Sequence, residues 1–330
     1  MSVDVSVVVV TYRCRDAARD CLASLYEGTG GVSFEVVVVD NASGDGTEEM
    51  VKEEFPQARL FPLPDNIGFG RAVNLAAEQA RGEHLLLLNP DTIVHAGMVE
   101  ELVGFARGLP GPAICGGRTL RPDGRLDPGS CWGAPSLWSL FCFATMLSTA
   151  FKGTRLFDPE SLGGWKRDSV RDVDIVTGCL LLAPRELWLE LGGFDPRFFM
   201  YGEDADLALR AAKAGVRRVI TPRAVVTHEV GVSSATRPDK LLLLFRGKAA
   251  LVRKHWGPVR RRVGVRLLVA GVGLRTLEAL RPGRRGAAGN RPASAWPAVW
   301  RARKDWVQGY GEPSVPGPTS ASLHTERVSP

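Results

Sequence analysis

The chain has 330 residues, 45% of them apolar, enough for a full core in one large or two small domains. Its six cysteines are scattered with no Cys-x-x-Cys pair, which argues against a zinc site or a disulfide framework, and neither a basic leader nor a long uncharged apolar run is present, so neither a signal peptide nor a membrane span is expected. The formal charge of +6 is uneven: residues 241–285 carry twelve Lys or Arg against the single acid Glu278, a composition that suggests an anionic partner, membrane or nucleic acid.

In chain order, three Val- and Leu-rich runs, 5–10, 34–39 and 83–88, read as parallel strands buried on both faces. Helix-like stretches at 17–26, 47–55 and 70–81 alternate with them, which predicts an α/β, doubly wound sheet. Ligands of such sheets bind beyond the strand C-terminal ends. There the sequence has Thr11, Tyr12 and Arg13, then Asp40 and Asn41, then Asn89, Pro90 and Asp91. An Asp directly after a strand accepts from a ribose hydroxyl or a base N–H, but takes a phosphate only with a cation between. The 40–47 segment reads equally as a turn followed by a helix capped by Asp45 or Thr47. Residues 66–71 resemble a dinucleotide loop, yet Val73 stands at the third glycine position and the loop does not directly follow the first strand. Gly68 and Gly70 still allow a close approach of ligand to backbone, and Asn74 lies one helical turn after Gly70.

The stretch 108–172 is rich in Gly, Pro and aromatics, and 141–151 reads as a buried helix. A core strand is expected at 173–182 and a helix at 184–191 opened by Pro184. Strand pieces at 219–220 and 224–226 lead to His228, a ligand candidate because it ends a strand on the side of the acids. Before that comes the most informative segment: Phe198, Phe199 and Tyr201 directly precede Glu203 and Asp204, which open a helix over 205–214. Helix starts favour anions through the macrodipole alone. Aromatics beside the acids add a wall for a sugar face and a base for its hydroxyl. Past residue 282 the chain is Gly-, Ala- and Pro-rich, with Trp296, Trp300 and Trp306 at roughly helical spacing, and 311–330 reads as a disordered tail.

These segments, in this order, resemble the family 2 inverting glycosyltransferases of GT-A fold, and among them the bacterial rhamnosyltransferase-like group. The resemblance rests on Val7 to Tyr12, Val38 to Thr47, Asn66 to Gly70 with Asn74, Leu87 to Asp91, Thr177-Gly178, Gly192 to Asp195, Tyr201 to Leu207 and His228. It implies a GT-A catalytic domain at 1–240, with a nucleotide-binding half (1–107) and an acceptor-binding half (108–240). A mostly parallel central sheet with flanking helices is expected there, followed by a basic amphipathic helical extension at 241–310 and the tail.

The resemblance also implies roles. Thr11, Tyr12, Arg13, Asp40 and Asn41 would hold the base and ribose of a donor nucleotide. Gly68, Phe69, Gly70, Arg71 and Asn74 would line its site, and Asn89, Gly178 and Tyr201 would complete the substrate contacts. Asp91 matches the last acid of the metal-binding Asp-x-Asp, with Asn89 at its first position, so a divalent cation, Mg2+ or Mn2+, would rest on Asp91 and His228. Asp204 would be the general base, competent without a raised pKa, with Glu203 beside it. The cation would neutralise a leaving diphosphate while the base deprotonates the acceptor hydroxyl on the opposite side, inverting the sugar.

Residues 253–256, Arg-Lys-His-Trp, do not match the Gln-x-x-Arg-Trp of processive synthases, so transfer of a single sugar is expected. The implied donor is dTDP-L-rhamnose, with a UDP-hexose as the alternative, and the acceptor a glycan or lipid-linked hydroxyl in cell-surface polysaccharide synthesis. A sugar nucleotidyltransferase would carry a Gly-rich loop where Thr11-Tyr12-Arg13 stands. A non-catalytic sugar- or lipid-binding module would not need both Asp91 and Asp204. The basic extension is expected to hold a cytoplasmic enzyme on the anionic inner face of the membrane, the competing reading being basic helices packed on the catalytic domain. No nucleic acid partner is expected, and an oligomer is left open.

Overall fold

The computed structural model describes residues 3–229, 237–281 and 294–311. The expected tail, save Gly311, and residues 282–293 of the extension lie outside the described residues. The first half alternates strand and helix: β1 (Val5–Thr11), α1 (Arg15–Gly28), β2 (Phe34–Asp40), α2 (Thr47–Glu54), β3 (Arg59–Pro62), α3 (Phe69–Gln79), β4 (His84–Leu88), β5 (Thr92–Val94) and α4 (Met98–Arg107). Asp45 does cap α2, accepting from the Thr47 amide at 3.1 Å, but Gly46, with φ +87°, occupies the N-cap position instead of Asp45 or Thr47.

The middle contains β6 (Ala113–Leu120), β7 (Leu126–Asp127), β8 (Cys131–Trp132), α5 (Leu137–Ala144) and α6 (Leu147–Ala150). The single helix expected at 141–151 is thus two, broken at Met146, which takes φ +66°. The strand expected at 173–182 is likewise divided. β9 (Arg171–Asp172) and β10 (Ile175–Val176) precede β11 (Leu180–Pro184), with Thr177 to Cys179 leaving the ladder to reach the site. Then come α7 (Arg185–Glu190), α8 (Glu203–Lys213) and β12 (Arg217–His228), one strand with an irregularity between Ile220 and Val225 where two pieces were expected.

The main sheet has the order β3-β2-β1-β4-β11-β6-β12-β5. β1 pairs in parallel with β2 on one side and β4 on the other, so the chain reverses its direction of growth at β1. β11 runs antiparallel between β4 and β6. All seven residues of β1 and all five of β4 are buried, because helices cover both faces. One core layer joins Val7, Val9 and Leu86 to Leu22, Leu25, Met98 and Leu102, and the other joins Val8, Leu85 and Leu87 to Val73, Ala76 and Trp188. Each fully buried Val or Leu contributes about 1.5–3 kcal/mol, so the strand termini are held rigidly at one edge.

The basic extension is helical: α9 (Arg237–His255), α10 (Pro258–Leu280), α11 (Trp296–Arg301) and α12 (Arg303–Trp306). It has its own core, where Phe245, Val252, Trp256, Leu268, Val272, Val299 and Trp306 close over Leu140 of α5. Gly264 and Gly271 of α10 admit this approach, since a Cβ at either would lie 2.5 Å or less from Trp256 or Phe143. Several of the counted cations are therefore used internally. Lys248 pairs with Glu160 at 2.5 Å and Lys254 with Asp195 and Asp206 at 2.6 Å, and Arg275 is buried over the Phe143 ring.

Candidate active site

At the ends of β1 and β2, buried Thr11 donates its hydroxyl to Asp40 Oδ1 at 2.8 Å, and Asp40 Oδ2 accepts from the Ser43 amide. Arg13 adopts φ +51° in the turn that follows, exposed, with its guanidinium 5.3 Å from the Tyr12 ring. Asn41 is buried and its amide is committed: Nδ2 donates to Asn66 and Oδ1 accepts from the Ile67 N–H. Asn41 thus ties the end of β2 to the 66–68 loop.

That loop serves as a brace. Gly68 has φ +87°, and a Cβ there would stand 2.5 Å from the Phe199 carbonyl oxygen. The Phe69 N–H donates to that same oxygen at 2.9 Å. Gly70 packs against Phe194, Arg71 donates to the Pro196 carbonyl, and Asn74 is clamped in two bonds with the Phe194 backbone. Gly68, Gly70, Arg71 and Asn74 were expected to line a nucleotide site. Their contacts are with the loop that carries the acids, and of the segment only Phe69 lines the cavity described below.

The acids begin α8 after a left-handed turn at Tyr201 (φ +67°) and Gly202 (φ +100°). Asp204 is half-buried. Its Oδ1 accepts from the Ala205 N–H at 2.7 Å and its Oδ2 from the Gly178 N–H at 3.4 Å. Burial raises its pKa despite these donors. Glu203 is buried with Oε2 lacking a partner, and burial together with the Asp204 charge pushes it well above the usual carboxylate range. Both acids are thus pushed upward by burial, Glu203 further by the Asp204 charge, while Asp204 has the additional backbone donors of Ala205 and Gly178 to favour its anion. Of the aromatic wall expected here, Tyr201 alone lines the cavity. Phe198 turns into the core against Tyr310, and Phe199 lies over Gly68, 40% exposed.

His228, at the end of β12, sits in a row of three side chains. Its Nε2 is 3.2 Å from Asp91 Oδ1 and its Nδ1 is 3.1 Å from Asp127 Oδ2. Burial disfavours the imidazolium, but the two carboxylates prevail and hold its pKa up at about 9. The 3.2 Å Asp91–His228 separation is that of a charge-assisted hydrogen bond, and His228 would ligate a cation only after losing its Nε2 proton. Asp127 then occupies the outer position that orients a ligating imidazole. Among the described residues no group of three or more His, Cys, Asp or Glu could hold a metal ion, so Asp91 and neutral His228 would offer a divalent cation two protein ligands and leave its other positions to the donor and water.

A cavity of about 500 Å³ joins the acids to His228, lined there by Asn89, Asp127, Gly178, Tyr201, Glu203, Asp204 and His228, whereas Thr11, Tyr12, Arg13, Asp40, Asn41 and Asp91 do not line it. Its remaining wall comes from Trp132, Glu160 and one face of α9: Lys240, Leu244, Gly247, Lys248 and Leu251. Sequence reading missed this wall and Asp127. Asp127 is 101 residues from His228, with no local pattern to mark it. The spacing of residues 240, 244, 247, 248 and 251 on one helical face was the available sign for α9.

A model of the Glycosyl transferase family 2 matches residues 6–173. The chain is 32% identical over 251 residues to an N-acetylglucosaminyl-diphospho-decaprenol L-rhamnosyltransferase of Mycobacterium tuberculosis, covering 70% of this chain and 78% of the relative. It is 30% identical to the O-antigen biosynthesis protein RfbC of Myxococcus xanthus over 68% of this chain but 17% of that protein. Among solved structures it is similar to the mannosyltransferase PcManGT from Pyrobaculum calidifontis in complex with GDP-Man and Mn2+ (TM-score 0.53, 21% identity, 93% of this chain and 84% of that one). It is also similar to S. aureus TarS in complex with UDP-GlcNAc (TM-score 0.54, 18% identity, 93% and 82%). The motif order, the sheet with its switch at β1, and the acids and histidine around one cavity agree with this kinship: the chain belongs to glycosyl transferase family 2 and is a glycosyltransferase of GT-A fold.

Proposed function

We propose that the protein moves a single sugar, with inversion, from a nucleoside-diphosphate donor to a hydroxyl of a lipid-linked acceptor sugar. L-rhamnose from dTDP-rhamnose is the first choice of donor and a UDP-hexose the second. The observation that carries this reading is one cavity holding both Asp204, a carboxylate fixed by two backbone donors, and His228, aligned with Asp91. The relative's name, a rhamnosyltransferase acting on an N-acetylglucosaminyl-diphospho lipid, supports the choice of donor and acceptor.

In this reading Asp91 and His228 hold Mg2+ or Mn2+, with Asp127 orienting the imidazole. A bound cation supplies charge neutralisation for the leaving diphosphate. Asp204 accepts the proton of the acceptor hydroxyl as that oxygen attacks the anomeric carbon. Glu203, protonated and buried, leaves Asp204 as the sole anion of the pair. Thr11, Tyr12, Arg13, Asp40 and Asn41 form the base and ribose end, and Asn89, Gly178 and Tyr201 flank the sugar. A non-catalytic sugar- or lipid-binding module would leave Asp204 and the Asp91–His228 pair without a task.

No described helix is long and apolar enough to cross a membrane. The reading nonetheless keeps the protein peripheral, on the anionic inner face of the cell membrane. Phe245, Val252 and Leu268 are withdrawn into the extension's core, so the lipid-facing residues reduce to an outer stripe of α10. Val259, Val263, Leu274 and Leu277 are 74%, 40%, 38% and 66% exposed, and Arg260, Arg262 and Arg266 lie among them exposed. The deciding experiment is a panel of dTDP-, UDP- and GDP-sugars, scored for slow hydrolysis and for transfer to a lipid-diphosphate sugar, with and without manganese. Turnover of none of them would end the proposal.

A further inference from the structure

Among the described residues Lys240 and Lys248 are the only lysines lining the cavity, and no arginine lines it. Both belong to α9, on the face that also carries Leu244, Gly247 and Leu251. This face is pressed onto the acidic turn: a Cβ at Gly247 would lie 2.1 Å from the Tyr201 carbonyl oxygen, two residues before Glu203. Lys248 is therefore fixed next to the point where α9 meets the base-bearing turn. Its ammonium is held at 2.5 Å by Glu160, which also accepts from Ser139. Lys240 is half-buried and has no acidic partner among the described residues. The proposed cation ligands Asp91 and His228 stand elsewhere, at the ends of β4 and β12, so Lys240 brings an unneutralised positive charge to the α9 wall and Lys248 one shared with Glu160.

We infer that Lys240 and Lys248 form an acceptor-side anion site that binds the diphosphate of a sugar-1-diphosphate ester. This rests on the reading of Asp204 as the base. If the acceptor hydroxyl lies at Asp204, the anomeric diphosphate of that same sugar emerges one ring away, and α9 is the wall beside the acids. The chemistry suits the residues. An ammonium is a compact charge that meets phosphate oxygens from several directions, and Leu244 and Leu251 on the same face suit the first apolar carbons beyond the diphosphate. Glu160 holds the Lys248 ammonium in the cavity wall, and phosphate oxygens replace the carboxylate as its partner when the acceptor enters.

The test compares two synthetic acceptors that share one sugar: a short-chain alkyl diphosphate ester of N-acetylglucosamine and its neutral alkyl glycoside. Each is assayed with wild type, Lys240→Gln, Lys248→Gln and Lys240→Arg. The ratio of kcat/KM for the charged acceptor to that for the neutral one is expected to fall about 10- to 100-fold in each Gln variant, the loss of a charge-assisted hydrogen bond. Lys240→Arg should recover most of it. A ratio unchanged in both Gln variants overturns the assignment, because any general damage to folding lowers both acceptors together. Failure of the wild type to use either acceptor with any donor overturns the transfer reading beneath it, and the assignment with it.

Discussion

Glu203→Gln tests the electrostatics of the site directly. Glu203 is 5% exposed, its Oε2 has no partner, and its pKa is pushed up to about 8 from an ordinary 4.5 by burial and by Asp204. The folded protein then retains a proton that the unfolded chain releases above pH 4.5. Because the native state binds more protons, stability falls as pH rises between about 4.5 and 8, the reverse of an ordinary paired carboxylate. One pKa unit is worth 1.36 kcal/mol, so the full span costs roughly 3–5 kcal/mol by pH 9. Glutamine has nearly the shape of the protonated acid and no charge to lose. Urea unfolding of both proteins from pH 5 to 9 should give curves that nearly meet at pH 5 and separate steadily, with the variant the more stable by about 3–5 kcal/mol at the alkaline end. Parallel curves would refute the buried neutral acid. A wild type that gains on the variant with rising pH would mean that the anion is the stabilised form.

Asp204→Asn should lower transfer by about 10²–10⁴ while leaving donor affinity nearly unchanged, and wild-type turnover in that variant would remove Asp204 as base. If Glu203→Gln lost more activity than Asp204→Asn, the base would move one residue. Asp91→Ala should abolish any manganese enhancement of nucleoside-diphosphate binding in calorimetry, and equal affinity with and without the metal in the wild type would take the cation out of the reaction. Gly68→Ala meets both φ +87° and a carbonyl 2.5 Å from its new Cβ. It should destabilise by more than about 1 kcal/mol and lower kcat, whereas unchanged kcat would show that the 194–199 loop does not need this brace. Leu277→Glu with Val259→Glu should reduce sedimentation of the protein with anionic vesicles at low salt, and wild-type protein that fails to sediment would defeat the peripheral-membrane proposal.

Much of the fold is legible in the sequence because short-range rules govern it. Valine and leucine runs of strand length, alternating with amphipathic helices, identify β1, β2 and β4, and the polar residues just beyond them mark the ligand edge by topology alone. Asp204 is legible for the same reason, as an acid in the first turn of a helix after an aromatic run. The tertiary structure decided matters that depend on distant partners. The 66–74 segment has a nucleotide-loop pattern, yet its glycines and amides are used on the 194–199 backbone, which sequence spacing cannot foresee. His228 gains Asp127 from a strand far away in the chain, and the arrangement of three side chains exists only after β7 and β12 join β6. The basic extension shows the limit most plainly. A count of charges cannot distinguish Lys254, half-buried in contact with Asp195 and Asp206, from Arg262 on the surface. Composition determines that such a segment seeks anions; packing determines which anions each residue meets.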